Sequence, residues 1–368
     1  MSEKPTVRDF FAGGNTAYGF YSLFDNIMVK NRKTFIILKG GPGTGKSTIL
    51  NHIKNTALDM GYDIECFYCS SDSTSLDAIA IPSIGAGVAD GTFPHAIDPI
   101  MPGVYDHIVN LGECWDEKIL QSYKQEINEI SQTIKYCFSS VYRYLAEARL
   151  ALTHLKLHTV ETVDFNKINF VTHNFLKRIL GEEAYQGKGS ERHLFASAIT
   201  PEGFVNFYPS ILAGCSDIYY ITGDHGIGKS TLLEKVYKGF RFKGFDLEVY
   251  HCALNPEVID GLIVPERKLA VVKTTDLYPF VSSEKNKPEF TETISLNYFT
   301  AGDCPLKADM YREYWDNISL ILKKALQVMK DVKSNLIQRE QYYHKAMDFD
   351  KVDIIKDKIL DKIFKSVG

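Results

Sequence analysis

No apolar run in the 368 residues reaches the roughly 18 positions a bilayer-spanning helix needs, so a membrane partner is not expected. Cysteine is sparse: seven in a chain this long do not make a disulfide framework. The start, Met1-Ser2-Glu3-Lys4-Pro5, lacks the basic-then-apolar pattern of a secretory signal. The expectation is a cytoplasmic protein with reduced thiols. Positive charge is not in excess either. Lys and Arg total 42 against 46 Asp and Glu, a net −4. That excludes a globally basic coat for phosphate backbones, and a nucleic-acid partner is not indicated. Glycine and proline are missing altogether from Glu113 to Leu180 and from Leu306 to Val367. Stretches without breakers read as long helices. The chain as a whole is 45% hydrophobic and 24% charged, an ordinary globular composition with length for two or three domains.

What is present is a duplication. Phe11-Ala12-Gly13-Gly14-Asn15-Thr16-Ala17-Tyr18-Gly19-Phe20 returns as Phe195-Ala196-Ser197-Ala198-Ile199-Thr200-Pro201-Glu202-Gly203-Phe204, shifted by 184 positions. Gly40 to Thr48 returns as Gly223 to Thr231, shifted by 183, and Cys69, Asp77 and Pro82 fall on Cys252, Asp260 and Pro265 at that shift. Asp164-Phe165-Asn166-Lys167-Ile168 returns as Asp348-Phe349-Asp350-Lys351-Val352. The segments keep their order, so the chain reads as two homologous halves, 1–185 and 186–368.

Each half begins as α/β. Apolar strands are predicted at Thr34–Lys39 and Asp217–Thr222, followed by a Gly-rich turn and a helix from about Lys46 or Lys229. Second strands follow at Asp63–Cys69 and Asp246–Cys252, and third apolar runs at Ile84–Ala89 and Lys268–Val272. Strands alternating with helices imply a parallel sheet flanked by helices. Each half ends in a predicted long helical hairpin, about 114–181 and 306–367. The first has an apolar stripe from Tyr123 to Leu155 at spacings of three and four, about 48 Å long. A stripe that long predicts a projecting tip, with Tyr136, Phe138, Tyr142 and Tyr144 as a docking surface for a protein partner or for self-association. Shorter sequence spacing predicts a shorter second hairpin.

Gly40-Gly41-Pro42-Gly43-Thr44-Gly45-Lys46-Ser47 and Gly223-Asp224-His225-Gly226-Ile227-Gly228-Lys229-Ser230 both fit the phosphate-loop pattern G-x-x-x-x-G-K-[ST] between a strand and a helix. Glycines let backbone N–H groups turn inward around a phosphate, and the helix N-terminus adds its dipole. The expected nucleotide contacts are Gly40, Gly41, Gly43, Thr44, Gly45, Lys46, Ser47 and Thr48. In the second half they are Gly223, Gly226, Ile227, Gly228, Lys229, Ser230 and Thr231. Lys46 and Lys229 would reach the β/γ-phosphates of ATP, and Ser47 and Ser230 would hold Mg²⁺.

Such loops need an acid on a neighbouring strand to fix the metal. Asp90 is the first-half candidate; its gap-free partner is Lys273, with Asp276 the nearest acid beyond. Asp72 is a further catalytic candidate, replaced by Asn255. Asp77, kept as Asp260, reads either as a helix cap or as functional. His95 reads as a surface loop histidine or as a phosphate contact, and Cys66 and Cys69 as buried core thiols. Arg143 and Arg149 read as a solvated helix face, or as arginine fingers.

Together with Cys69-Ser70-Ser71-Asp72, Asp90-Gly91-Thr92-Phe93-Pro94-His95, Asn110-Leu111-Gly112 and Trp115-Asp116, these loops make the chain resemble a family of uncharacterised bacterial ATPases with tandem P-loop domains. The resemblance covers nearly the whole chain. It implies two P-loop NTPase domains and ATP binding, but names no substrate. The leading expectation is a Mg-dependent ATPase or nucleotide-driven switch, with the first loop the catalytic one. The alternatives are a small-molecule kinase with Asp72 near the acceptor, and a non-catalytic nucleotide-gated scaffold.

Overall fold

The computed structural model describes residues 4–28, 30–182, 187–275, 288–297 and 305–365; Asp276 lies outside them. The first half runs β1 (Val7–Phe10), β2 (Gly13–Thr16), β3 (Gly19–Ser22), β4 (Thr34–Lys39), α1 (Lys46–Asp59), β5 (Ile64–Cys69), β6 (Asp72–Ile81), β7 (Ala86–Asp90), β8 (Asp106–Asn110), α2 (Glu117–Ser122), α3 (Lys124–Val160) and α4 (Phe165–Leu180). The second runs β9 (Glu191–Leu194), β10 (Ser197–Thr200), β11 (Gly203–Asn206), α5 (Tyr208–Ile211), β12 (Asp217–Thr222), α6 (Lys229–Phe242), β13 (Leu247–His251), β14 (Ile259–Val264), β15 (Leu269–Lys273), β16 (Phe290–Ser295), α7 (Pro305–Ala346) and α8 (Phe349–Phe364).

Each half holds a six-stranded mixed sheet, ordered β1-β5-β6-β7-β4-β8 and β9-β13-β14-β15-β12-β16. The two orders match strand for strand. In the first sheet β4 lies between two parallel neighbours, β7 and β8. Phe35 to Leu38 are all buried, as expected for a strand covered on both faces. The expectation of an all-parallel sheet is corrected at β6, which pairs antiparallel with both β5 and β7. It also corrects the reading of Asp77 as a helix cap. The run Asp77-Ala78-Ile79-Ala80-Ile81 is buried throughout; a short continuous apolar run suits a central strand as well as it suits a helix.

The halves meet across a pseudo-twofold. Phe11 and Phe195 exchange backbone hydrogen bonds at 3.0 and 3.1 Å. Arg192 grips Glu65 with two bonds at 2.9 and 2.7 Å, while its duplicate Arg8 bonds Glu248 at 3.0 and 2.5 Å. Each arginine thus holds the other half's glutamate, the self-complementary pattern of a twofold interface.

The long helices exchange between the halves, which corrects the hairpin expectation. α3 and α7 lie antiparallel: Tyr123 meets Tyr342 with ring centroids 5.0 Å apart at one end, and His158 meets Tyr314 at 5.2 Å at the other. The stripe Val141, Leu145, Ala148, Leu152 and Leu155 is buried with Ile318, Leu322, Ala325 and Met329. The apolar face is covered by the other half's helix, so no tip projects. Phe138 and Tyr142 face a cavity, Tyr144 packs in this seam, and Tyr136 alone of the four is largely exposed, at 69%. Each long helix hands its terminal helix to the opposite domain. Phe175 and Ile179 of α4 join the second core; Val352, Ile359 and Ile363 of α8 join the first. The second long helix is the longer, 42 residues against 37.

Candidate phosphate-loop sites

The first Gly-rich loop joins β4 to α1. Gly45 precedes the helix at φ 89, with no side chain capping the helix start. Glycine tolerates that left-handed backbone, and the uncapped first-turn N–H groups are the donors an anion accepts from. Gly43 is equally constrained: at φ +68, an added Cβ would stand 2.9 Å from the Glu340 carbonyl of α7. Lys46 is buried; its Nζ donates to the Gly41 carbonyl at 2.6 Å and the Gly40 carbonyl at 3.2 Å. Thr44 Oγ1 donates to the Gly41 carbonyl at 3.0 Å. Gly43 to Thr48 line the cavity above; Gly40 and Gly41 sit at the strand exit, where Thr92 Oγ1 donates to the Gly40 carbonyl.

Asp90 ends β7 in register with Leu38 of β4. That places its carboxylate 3.6 Å from Lys46 Nζ. Ser47 Oγ, at the first turn of α1, accepts from Leu76 N at 3.2 Å. A hydroxyl, a carboxylate and an uncapped helix start are a donor set that fits a magnesium nucleotide.

Beside Asp90 lies a group that local sequence did not mark. Cys69, Asp77 and His95 offer ligand atoms within 4.8 Å of one another. His95 Nδ1 is 3.2 Å from Asp77 Oδ2, and both residues are buried. His95 is therefore not a surface histidine; its ring packs against Phe20 and Phe24, centroids 5.1 and 4.8 Å away. Burial, above all, pushes it down to about 4. Burial, then the charge of Asp90, holds the Asp77 carboxyl well above the usual range. Cys69 lines the cavity, whereas Cys66 is the core thiol.

The cavity measures about 1110 Å³ and is roofed by both long helices. Ile134, Phe138 and Tyr142 come from α3, and Lys333, Arg339 and Glu340 from α7. Tyr142 Oη donates to Asn15 Oδ1 at 3.1 Å. Lys333 Nζ pairs with Asp72 at 3.0 Å and Glu202 at 2.5 Å, and Ser75 and Thr74 hydroxyls also donate to Asp72. Arg339 Nε is buried with no hydrogen-bond partner among the described residues, and burial lowers its pKa. The two arginines that sequence offered as alternative fingers do not line this cavity. Arg143 bonds Ser139 on its own helix, and Arg149 lies over the Tyr18 ring. Nothing local distinguishes Arg339 or Lys333, because only the helix exchange brings them here.

The second loop repeats the framework with different groups. Gly228 starts α6 at φ 103 without a side-chain cap, and Lys229 Nζ donates to the Gly223 and Asp224 carbonyls. Ser230 follows at the helix start, with Thr231 exposed beside it. Ile227 is fully buried in the second core, leaving only its backbone to the loop. A Cβ on Gly226 would meet Lys156 Cα at 3.0 Å, as one on Gly43 meets Glu340. That correspondence places Leu155, fully buried, opposite Arg339. Lys273 stands in register with Ile221 of β12, as Asp90 does with Leu38.

No family model, no curated protein and no solved structure matches the chain. The reading of these loops therefore rests on their motifs and geometry. No described helix is long and apolar enough to cross a membrane.

Proposed function

We propose that the chain is a P-loop nucleotide-binding protein whose first loop binds and hydrolyses Mg·ATP and whose second loop binds nucleotide without turnover. The observation that carries this is the convergence of Lys46, Ser47 and Asp90 at one strand–helix junction, beneath an arginine supplied by the other half of the chain. The backbone N–H groups of Gly43 to Ser47 would cradle the phosphates, and Lys46 would neutralise them. Ser47 and Asp90 would hold Mg²⁺, which supplies Lewis-acid charge at the phosphate oxygens. Arg339 would face the charge that develops on phosphoryl transfer, the role of an arginine finger. The roof of α3 and α7 would exclude water from the nucleotide.

The same two helices also cross the second domain, where Lys156 of α3 touches the second loop. Closure at one loop is thereby tied to the other, which supports a nucleotide-driven switch. Asp72 favours this over the kinase reading. Its carboxylate is taken up by Lys333, Ser75 and Thr74, so it latches α7 to the first domain rather than standing open to an acceptor hydroxyl.

The test is equilibrium ATP binding and ADP release for wild type, Lys46→Ala and Lys229→Ala. Loss of the Lys46 ammonium removes a charge-assisted contact worth roughly 1.5–3 kcal/mol. Lys46→Ala should abolish turnover, and Lys229→Ala should keep much of it. Unchanged affinity and turnover in Lys46→Ala would overturn the assignment.

A further inference from the structure

The second loop has lost its metal acid, but the vacated chemistry is not left blank. Lys273 Nζ donates to Ser230 Oγ at 3.1 Å. It also pairs with Asp260 Oδ1 at 2.6 Å. Both Lys273 and Asp260 are buried. Ser230 duplicates Ser47, Asp260 duplicates Asp77, and Lys273 stands at the strand position of Asp90. In the first half, that hydroxyl and the Asp90 carboxylate are the groups proposed above to hold a divalent cation, with Asp77 buried within reach of the Asp90 charge. In the second half, an ammonium of this chain is bonded to the same hydroxyl and the same buried carboxylate.

We propose that the second loop is a metal-independent nucleotide site, in which the Lys273 ammonium supplies the positive charge that Mg²⁺ would supply beside Ser47. This rests on reading both loops as nucleotide sites. The ligand class is a nucleoside di- or triphosphate free of divalent cation. An ammonium has three donors; Ser230 and Asp260 take two, and a phosphate oxygen would accept the third. Lys273 and Lys229 together would meet the phosphates with two charges, without recruiting an ion from solution. The surrounding field agrees. His225, within the loop, is pushed down to about 4 by burial first and then by the charges of Lys229, Lys273 and Lys156. Three lysine charges thus stand within electrostatic reach of the loop. A divalent cation brought to Ser230 would face Lys273 at hydrogen-bond distance, and like-charge repulsion in a buried setting is severe.

The experiment isolates each loop in the full chain and titrates a fluorescent ATP analogue with excess Mg²⁺ or with EDTA. Lys46→Ala leaves the second loop and Lys229→Ala leaves the first. Lys46→Ala should bind with an affinity that changes less than about threefold between the two conditions, while Lys229→Ala should lose at least about tenfold in EDTA. A tenfold loss in EDTA for Lys46→Ala overturns the inference and leaves the nucleotide reading intact. Binding by Lys229→Ala alone removes the second site and the inference with it; binding by neither variant overturns the nucleotide reading itself. Adding Lys273→Met with Asp260→Asn to Lys46→Ala removes both charges of the buried pair together. With its melting transition retained, that variant should lose about tenfold in EDTA; unchanged binding would show that Lys273 does not serve the ligand.

Discussion

The helix exchange makes a counter-intuitive prediction: damage to one half of the sequence should loosen the domain built from the other. Ile359 belongs to the second half, yet it is 3% exposed in the first core, with Ile36, Leu38, Ile49 and Ile53. Truncating such a residue to alanine costs about 2–5 kcal/mol, transfer and cavity together. A typical domain has only about 5–15 kcal/mol in total, so Ile359→Ala should bring local opening of the first domain into measurable range. The loop would feel it directly. Val352, two turns earlier on α8, is the atom nearest an added Cβ at Gly45, 3.4 Å away. Phe175 of α4 is the mirror case, 3% exposed in the second core, and Phe175→Ala should cost about 3–5 kcal/mol there. Segment-resolved hydrogen exchange measures both without reference to function. Ile359→Ala should speed exchange in α1 and β7 and spare α6; Phe175→Ala should speed exchange in α6 and β15 and spare α1. If each substitution instead loosened the domain of its own half, the exchange of α4 and α8 would be refuted.

Arg339→Ala should reduce ADP release by about a thousandfold or more, the range for lost arginine fingers, with ATP affinity nearly kept; Arg339→Lys should not restore it, since a lysine lacks the planar fork. An equal fall in affinity and turnover would make Arg339 a binding group only. The interface should also be acid-sensitive. Burial alone would raise the Glu248 carboxyl from its ordinary 4.5, but the charge and hydrogen bonds of Arg8, then Arg192, outweigh it and hold it at about 2. A depressed pKa stabilises the fold above 4.5, and that contribution, about 3 kcal/mol, is lost as pH falls from 4.5 towards 2. Urea unfolding across that window should steepen in wild type and flatten in Glu248→Gln; identical slopes would show that the network contributes nothing.

Much of the fold was legible because its signals are local. β4, β12, α1 and α6 begin where the Gly-rich turns predict, since a left-handed glycine ahead of a lysine fixes the end of loop and start of helix together. Asp164 and Asp348 cap α4 and α8 with side-chain bonds to the first-turn N–H groups, so their repetition was a sound marker. β6 was not legible, because its polar first half gives no strand signal and the short apolar run Ala78 to Ile81 that ends it carries no period to separate strand from helix. Nor was the exchange. A stripe says that a face must be buried but not against which helix, and intramolecular return was as good a solution as crossing. The α7 residues that sequence missed follow from that gap: Lys333, Arg339 and Glu340 lie far along the chain from Lys46 and reach its cavity only on the crossing helix.

The differences between the loops point in one direction. Lys229, Gly228 and Ser230 keep what phosphate binding needs. Asp90, Asp72 and Arg339 correspond to Lys273, Asn255 and Leu155 across the duplication, so the carboxylate proposed to hold the metal, the latch carboxylate and the guanidinium are all replaced. Loss of function alone would not produce this pattern at Lys273. A buried carboxylate stripped of compensation costs several kcal/mol, and Asp260 is 1% exposed. The first half meets that cost by pushing Asp77 towards its neutral form beside His95. The second meets it with an ammonium, and Lys273 is held above its ordinary pKa against burial, chiefly by Asp260. A lysine there must stay charged while Asp260 does, and a charged lysine excludes a metal ion from Ser230. The second loop is thus committed by its own buried pair, which no single substitution returns to a metal site without leaving a carboxylate unpaired. A second loop that keeps its nucleotide whatever the magnesium level would hold α3 in place while the first loop cycles, and the crossing helices give that asymmetry a mechanical reason to exist.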